Sequence, residues 1–259
     1  LSEAESDRTV LYDDGCHAKF RVAEWKDCRY GDVGSDVTVA LFGDSHAAAW
    51  FPALERVAED QGFELRTFTK SSCPASTMES ILQGQDDVWC TQWRAAVIAE
   101  LAASPVDLVI LADHFATGTR DVDDGTYAEH RFFGEWEVGA GATVSQLIRS
   151  APVLVIADVA KFGDDPVDCL ADHLDDALSC GRDVEDVVPL ATNAEVKSTV
   201  ESLGATYADY TTVVCPDGFC AVIRGRTLVF RDSDHLSTPY SRSLAPQLGA
   251  TVASLLGRD

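Results

Sequence analysis

Basic residues and long apolar runs are both scarce in this chain of 259 residues. Only 20 Lys and Arg accompany 43 Asp and Glu, which gives a formal net charge of -23 at pH 7. Such a surface repels the phosphates of nucleic acids and of anionic lipids, so we expect no nucleic-acid partner. No stretch approaches the ~20 consecutive apolar residues of a membrane-spanning helix, and we expect no transmembrane helix here.

Cofactor-binding motifs are missing as well. The chain has neither a dinucleotide-binding G-x-G-x-x-G nor a phosphate-binding loop, and no C-x-x-C spacing indicates a zinc site. We therefore expect neither a cofactor nor a metal. The start at Leu1 has no initiator Met and no signal-peptide pattern, which is typical of a processed or cropped terminus.

Eight cysteines are present, and they fall into four couples of near neighbours. The couples are Cys16 with Cys28, Cys73 with Cys90, Cys169 with Cys180, and Cys215 with Cys220. An even number in local couples predicts four short-range disulfides, although eight cysteines allow other pairings and buried free thiols are the alternative. Because disulfides persist in oxidising compartments, we expect an extracytoplasmic location.

Strand-like and helix-like segments alternate after residue 36. The predicted strands are Val37–Phe42, Phe63–Thr69, Val106–Ala112, Pro152–Ala157 and Ala205–Tyr210. The apolar run Val37–Phe42 is typical of a strand that is buried on both faces of a parallel sheet. The alternation predicts an α/β fold with a doubly wound parallel sheet of about five strands, forming one domain over residues 37–259.

Three further segments have their own patterns. Residues 1–36 are polar and broken by glycines, which predicts an irregular N-terminal extension packed on the domain. The stretch from Thr117 to Gly141 is acidic and glycine-rich, and within it Asp121–Gly125 predicts a solvated acidic loop. The runs Ala221–Ile223 and Thr227–Phe230 predict a hairpin shortly before the C-terminal helix.

A serine follows the first predicted strand, in the motif Gly43-Asp44-Ser45-His46. Open α/β sheets place reactive groups at the carboxyl ends of their strands, and a helix N-terminus there stabilises an anion. The pattern predicts Ser45 as a nucleophile whose backbone N–H faces the oxyanion, with a purely helix-capping serine as the alternative. We expect the adjacent His46 to point elsewhere.

Near the other end of the chain, Asp232 and His235 stand three residues apart. A turn of that length lets the carboxylate accept the imidazole Nδ1–H while Nε2 faces another loop. Asp234 is a competing carboxylate, but we expect an immediate neighbour to be poorly placed to reach back. The motif alone is also compatible with a surface turn; together with Ser45 it predicts a Ser-His-Asp triad for acyl transfer or ester hydrolysis.

These motifs resemble the SGNH hydrolase superfamily, and more narrowly the SGNH domains fused behind acyltransferase-3 membrane proteins that O-acylate bacterial envelope glycans. The blocks that carry the likeness are Phe42–Ala47, Lys70–Pro74, Cys215–Cys220 and Phe230–Ser237. They stand in that order within roughly residues 37–255. The resemblance implies a flavodoxin-like three-layer α/β/α sandwich and a triad of Ser45, His235 and Asp232.

The resemblance also implies an oxyanion hole, and this sequence departs from the family there in two places. The family's glycine donor corresponds to Ser72, whose backbone N–H survives the change of side chain. The family's asparagine donor corresponds to His114, because the single asparagine, Asn193, lies in a helical segment elsewhere. The expected donors are therefore Ser45, Ser72 and His114, with a neutral His114 donating through a ring N–H.

By this resemblance the chain is expected to be the extracytoplasmic SGNH domain of an envelope O-acyltransferase. It would transfer an acyl group, with acetyl the expected one, through an acyl-serine to a glycan or glycolipid hydroxyl. A membrane acyltransferase-3 domain upstream would deliver the acyl donor and tether the chain. Three alternatives remain: a secreted carbohydrate esterase, a degenerate SGNH module that binds glycans, and an unrelated flavodoxin-like ligand binder.

Overall fold

A computed structural model describes residue 4 and residues 6–104, 106–116, 118–123 and 126–258 of the chain. The strands are β1 His17–Ala18, β2 Cys28–Gly31, β3 Thr38–Gly43, β4 Glu64–Lys70, β5 Glu79–Leu82, β6 Gln85–Asp86, β7 Leu108–Ala112, β8 Gly118–Asp123, β9 Thr126–Phe133, β10 Val153–Ile156, β11 Arg182–Asp183, β12 Thr206–Ala208, β13 Phe219–Cys220, β14 Ile223–Arg224 and β15 Thr227–Leu228. The helices are α1 Val10–Asp13, α2 Ser45–Gln61, α3 Val88–Ala103, α4 Trp136–Leu147, α5 Pro166–Asp172, α6 Val184–Val187, α7 Leu190–Ser202, α8 Thr211–Val214, α9 Thr238–Ser243 and α10 Ala245–Leu255. Within the described ranges, none of these helices combines the length and apolar composition needed to cross a bilayer.

The central sheet has seven strands in the order β1–β4–β3–β7–β10–β12, with β2 pairing with a separate part of β4. Every pair is parallel except β2 with β4. All five strands predicted from the apolar runs are present, as β3, β4, β7, β10 and β12. The predicted α/β class is therefore confirmed, and two strands are added at one edge.

The N-terminal segment supplies these two additional strands, which differs from the irregular extension that we expected. β2 runs antiparallel to β4, from Cys28 opposite Thr67 to Gly31 opposite Glu64. β1 runs parallel to the end of β4, with His17 opposite Thr69. An edge strand offers its free backbone groups to any segment that lies beside it, so pairing there needs no apolar pattern that the sequence would reveal.

Both faces of the central sheet are buried, as the continuous apolar runs predicted. In β3, Val39 and Leu41 belong to one apolar core, whereas Ala40 and Phe42 belong to the other. Helix α2 packs on the first face together with α9 and α10, and α3, α4 and α7 pack on the second. The fold is the three-layer α/β/α sandwich that the sequence predicted.

A second sheet includes much of the acidic stretch between residues 117 and 141, and β8 takes in part of the expected Asp121–Gly125 loop. Strands β8 and β9 form an antiparallel hairpin, and with β5 and β6 they build a four-stranded sheet in the order β6–β5–β9–β8. Residue 117 of this stretch and residues 124 and 125 of the expected loop lie outside the described residues. The predicted hairpin near the C-terminus is present in shortened form, as β14 and β15.

Four disulfides join the cysteines that are neighbours along the chain. They are Cys16–Cys28, Cys73–Cys90, Cys169–Cys180 and Cys215–Cys220. All eight cysteines lie in the described ranges, and none of them is free. The expectation of four short-range disulfides is confirmed.

Candidate active site

The candidate site lies at the carboxyl ends of the parallel strands. β3 pairs in register with both neighbours, so that Gly43 lies opposite Thr69 of β4 and Ala112 of β7. A Cβ at Gly43 would lie 2.0 Å from the backbone oxygen of Ala112, so only glycine permits this close approach. The chain leaves all three strands at this level, which brings the following loops side by side.

These loops surround a cleft of about 820 Å³. The residues predicted from the sequence that line it are Ser45, Ser72, His114, Asp232 and His235. They come from four separate loops, and the structure brings them together in this one space. His46, Asp234 and Lys161 line the cleft as well.

Ser45 is the first residue of α2, and the helix is capped by the residue before it. The carboxylate of Asp44 accepts hydrogen bonds from the backbone N–H of His46 at 2.8 Å and of His114 at 2.9 Å. Burial, followed by the charge of Asp113, raises the pKa of Asp44 to about 7. Because Asp44 is the cap, the alternative in which Ser45 serves only as the helix cap does not hold.

Ser72 has a left-handed backbone conformation in the loop after β4. Its φ is +46°, in the region that glycine adopts most readily. The disulfide between Cys73 and Cys90 ties the next residue to α3. The carboxylate of Asp113 holds the same loop by accepting the N–H of Ala75 at 2.7 Å. The loop therefore keeps a glycine-like backbone although the side chain is serine.

Two carboxylates hold the imidazole of His235. Its Nδ1 lies 2.9 Å from both oxygens of Asp232 and 3.0 Å from Oδ1 of Asp234. The expectation that Asp234 would be poorly placed is wrong, because the turn curls around Asp232. The Oδ1 of Asp232 accepts the backbone N–H of Asp234 at 3.1 Å and of His235 at 2.8 Å, which draws all three side chains together.

The electrostatics of this turn favour a charged imidazole. Burial opposes the charge of His235, but Asp232 raises the pKa of His235 well above its ordinary value. The Nε2 of His235 is buried and has no hydrogen-bond partner among the described residues, Ser45 included. The ring of His235 lies 5.1 Å from the ring of His46, centroid to centroid, and His46 follows Ser45 directly.

A third carboxylate, Asp158, holds two further histidines. Its Oδ1 lies 2.8 Å from Nδ1 of His46, and its Oδ2 lies 3.0 Å from Nδ1 of His114. The two rings stack with their centroids 4.2 Å apart and their planes inclined at 21°. Burial works against the carboxylate anion, yet the two histidines lower the pKa of Asp158 far below its ordinary value. Asp158 is therefore an anion shared by two imidazoles.

Sequence reasoning missed Asp158 and the groups that support it. Its carboxylate also accepts the N–H of Phe115 at 2.7 Å. The side chain of Asn193 accepts the N–H of Asp158 at 3.1 Å and donates to its carbonyl oxygen at 3.0 Å. Asn193 does lie in α7, as expected, but its side chain reaches the loop after β10. One signal was available, since Asp158 directly follows the fourth predicted strand, Pro152–Ala157.

Three groups of described residues bring potential metal ligands within 4.8 Å of one another. The groups are Cys169, His173 and Cys180; His46, His114 and Asp234; and Asp232, Asp234 and His235. The sulfurs of the first are joined in a disulfide. In the second, the Nδ1 atoms of His46 and His114 both face Asp158, and Nε2 of His114 lies 3.3 Å from the ammonium of Lys161, which disfavours a cation there. In the third, both carboxylates face the same imidazole nitrogen, an arrangement suited to orienting a proton.

A family model described as an SGNH domain fused to AT3 domains matches residues 13–250 of the chain. No curated protein sequence matches the chain. Among solved structures, the chain is similar to the periplasmic domain of a lipopolysaccharide acetyltransferase from Salmonella ser. Paratyphi A. The TM-score is 0.66 at 17% identity, over 97% of this chain and 88% of that chain.

Two more distant structures are also similar. A member of the lipolytic protein G-D-S-L family from Veillonella parvula matches with a TM-score of 0.45 at 12% identity, over 83% of this chain and 97% of that chain. A salicylyl-acyltransferase from a tetracycline biosynthetic pathway matches with a TM-score of 0.49 at 15% identity, over 86% of this chain and 56% of that chain. At such identities, the Salmonella domain is evidence for the fold.

Proposed function

Because the chain belongs to the family of SGNH domains fused to AT3 domains, whose model it matches over residues 13–250, we propose that it is a serine O-acyltransferase domain. Membership of this family supports enzymatic acyl transfer or ester hydrolysis. In the proposed reaction an acyl group, with acetyl the expected one, passes to a hydroxyl of a cell-envelope glycan or glycolipid. The AT3 domain of the full-length protein delivers the acyl donor at the membrane.

One observation carries this proposal. His235 presents a buried Nε2 without a hydrogen-bond partner among the described residues, in the same cleft that Ser45 lines. Its other nitrogen, Nδ1, is held by Asp232 at 2.9 Å. A base that is oriented on one side and unengaged on the other is what a serine nucleophile requires. We expect the hydrogen bond between Ser45 and Nε2 of His235 to form when substrate binds, since catalytic hydrogen bonds are often absent or long in the free enzyme.

The reaction proceeds in two steps. His235 takes the proton of Ser45 while the Ser45 oxygen attacks the acyl carbon of the donor, and the leaving group of the donor departs with that proton. A glycan hydroxyl then attacks the acyl-serine, passes its proton to His235 and releases Ser45, which recovers the proton. Asp232 keeps the Nδ1–H of His235 in place throughout and stabilises the imidazolium between the proton transfers.

The oxyanion of each tetrahedral intermediate needs hydrogen-bond donors. The N-terminus of α2 supplies the backbone N–H of Ser45, where the helix dipole also favours negative charge. The backbone N–H of Ser72 is the second proposed donor, from the loop after β4. His114 lines the same cleft and is the third.

The four disulfides and the periplasmic domain among the similar structures support an extracytoplasmic location. Attachment to the membrane through the AT3 domain is part of the proposal. The cleft volume of about 820 Å³ lies within the range of pockets that hold small-molecule ligands.

A chromogenic acetyl ester, assayed with and without a short oligosaccharide acceptor, tests the proposed function. Wild-type protein is expected to release the chromophore, to form an acetyl-Ser45 detectable by mass spectrometry, and to give an acetylated sugar. Ser45→Ala is expected to lose all three signals, with Ser233→Ala, another serine that lines the cleft, as the matched control. Hydrolysis without acetylated sugar, in the chain and in the full-length protein, would indicate an esterase. Equal background turnover by wild type and Ser45→Ala would indicate a binding module.

A further inference from the structure

Strand register brings His114 to the segment that carries the proposed nucleophile. Ala112 of β7 lies opposite Gly43 of β3 and opposite Ile156 of β10. Two residues beyond these aligned strand ends come Ser45, His114 and Asp158, which therefore leave the same edge of the sheet. The N–H of His114 also binds the carboxylate of Asp44, immediately before Ser45, at 2.9 Å.

The proton arrangement on His114 is set by Asp158. Asp158 is an anion, and its Oδ2 lies 3.0 Å from Nδ1 of His114, so Nδ1 carries a hydrogen and donates it. A neutral imidazole has only one N–H. With that hydrogen on Nδ1, the Nε2 of a neutral His114 has a lone pair and repels an oxyanion. The expectation that a neutral His114 replaces an asparagine donor is therefore inconsistent with this geometry.

The doubly protonated ring does not have this problem. We propose that His114 completes the oxyanion hole as an imidazolium, donating from Nε2, with Asp158 as the residue that positions it and balances its charge. This inference rests on the proposed function. In it, a titratable cation donates the hydrogen bond to the oxyanion that a neutral asparagine amide donates in the SGNH superfamily. Asp158 acts only through the imidazoles, whereas His114 contacts the reacting oxygen.

Charged groups surround His114 on every side. Asp158 faces Nδ1, the Oδ2 of Asp234 lies 3.7 Å from Nε2, and the carboxylate of Asp44 holds the backbone. His46 stacks on the ring, and Nζ of Lys161 lies 3.3 Å from Nε2. Burial opposes the charged ring, but Asp158 leads the groups that raise the pKa of His114 above its ordinary value.

Lys161 is the neighbour that disfavours the imidazolium form of His114. An ammonium and an imidazolium repel each other, and neither can accept a hydrogen bond from the other. The side chain of Lys161 is exposed, so the ammonium can move into solvent when Nε2 of His114 carries a proton. The ammonium can also stabilise the oxyanion of the intermediate electrostatically once that negative charge has formed. Lys161 therefore lowers the pH at which His114 loses its proton.

The proposal has a distinctive kinetic consequence. Catalysis needs His235 without its Nε2 proton and His114 with one, so the rate must fall at high pH as well as at low pH. An asparagine in the same place cannot lose a proton in this range, and it would give no fall at high pH. Substitution of His114 therefore separates the fall in rate at high pH from the fall at low pH that His235 causes.

The test compares pH–rate profiles of acetyl ester hydrolysis for wild type, His114→Ala and His114→Asn. His114→Ala is expected to lose about 10²–10³-fold in kcat, as for removal of one oxyanion donor. His114→Asn is expected to recover part of that loss and to lack the decline at high pH. Asp158→Asn is expected to move the decline to lower pH by about 1–3 units, and Lys161→Gln to move it to higher pH.

A second readout does not depend on turnover. Long-range ¹H–¹⁵N spectra report which ring nitrogens carry hydrogen, and the signals missing from His114→Asn identify those of His114. In wild type, Nε2 is expected to be protonated below the kinetic midpoint and Nδ1 to keep its hydrogen above it. This measurement needs only wild type and the asparagine variant, so it remains decisive if Asp158→Asn does not fold.

The possible failures are distinguishable. If ester turnover persists but His114→Asn keeps the decline at high pH, or if Nε2 lacks a proton where wild type is most active, the inference is overturned and the proposed function stands. If Lys161→Gln loses as much activity as His114→Ala, Lys161 is the donor and the inference is overturned. If wild type neither turns over the ester nor acylates Ser45 at any pH, both proposals fall together.

Discussion

Oδ1 of Asp234 lies 3.0 Å from Nδ1 of His235. This distance is nearly the same as the 2.9 Å that separates Asp232 from the same nitrogen. Adjacent residues rarely meet in this way, and here the tight turn around Asp232 makes it possible. The imidazole consequently has two carboxylates available to orient a single N–H. We therefore expect either carboxylate to keep that hydrogen in place when the other is removed.

Substitution of the two carboxylates tests this sharing. Asp232→Asn and Asp234→Asn are each expected to lower kcat for ester hydrolysis by about tenfold to a hundredfold, because one orienting carboxylate remains. The double variant is expected to lose about 10⁴-fold, as in triads that lose their only carboxylate. A loss of that size in Asp232→Asn alone would assign the orienting role to Asp232, with Asp234 a bystander.

The pH dependence of Ser45 reactivity follows from the charge on His235. Asp232 raises the pKa of this imidazole, and only its uncharged form can accept the Ser45 proton. On the acid side of the profile, labelling of Ser45 by a fluorophosphonate is therefore expected to accelerate with rising pH, with a midpoint above 6.5. Asp234→Asn removes a negative charge beside the ring and is expected to move the midpoint to lower pH. A wild-type midpoint below 6.5 would contradict this prediction.

The backbone of Ser72 carries conformational strain that glycine would relieve. A residue with a Cβ costs about 1–2 kcal/mol in the left-handed region, where Ser72 has a φ of +46°. The free energy of unfolding of Ser72→Gly is expected to be about 1 kcal/mol higher than that of Ser72→Ala, so the glycine variant is the more stable. Both variants lack the hydroxyl, so the comparison isolates the backbone, and denaturant unfolding measures it. Both should retain turnover, since the backbone N–H is unchanged; equal stability would argue against strain.

The disulfide next to Ser72 is expected to matter for activity as well as for stability. Cys73→Ala with Cys90→Ala frees the loop after β4, whereas Cys169→Ala with Cys180→Ala opens a comparable loop at α5. Each pair is expected to lower the free energy of unfolding by about 3 kcal/mol. Only the first should also reduce kcat, because it releases a proposed oxyanion donor. Equal effects of the two pairs on kcat would show that the Ser72 loop is held by other contacts.

Much of the fold could be read from the order of residues. The run Val37–Phe42 is apolar except at Thr38, because both faces of a parallel strand are covered, and that pattern is a local property. The cysteines pair with near neighbours, so their spacing carried the information. Strands β1 and β2 were hidden, since pairing with a sheet edge is made by backbone groups that are the same in every residue.

The candidate site could be predicted only in part, because the sequence reveals local patterns and not long-range contacts. Ser45, Asp232 and His235 stand in short motifs, and a motif is a pattern among neighbours. Asp158 and Asn193 carry no such pattern: Asp158 meets His114 across 44 residues and Asn193 across 35. Which carboxylate faces which imidazole depends on how β3, β7 and β10 are aligned, and that register arises from the packing of the whole sheet, beyond anything that neighbouring residues encode.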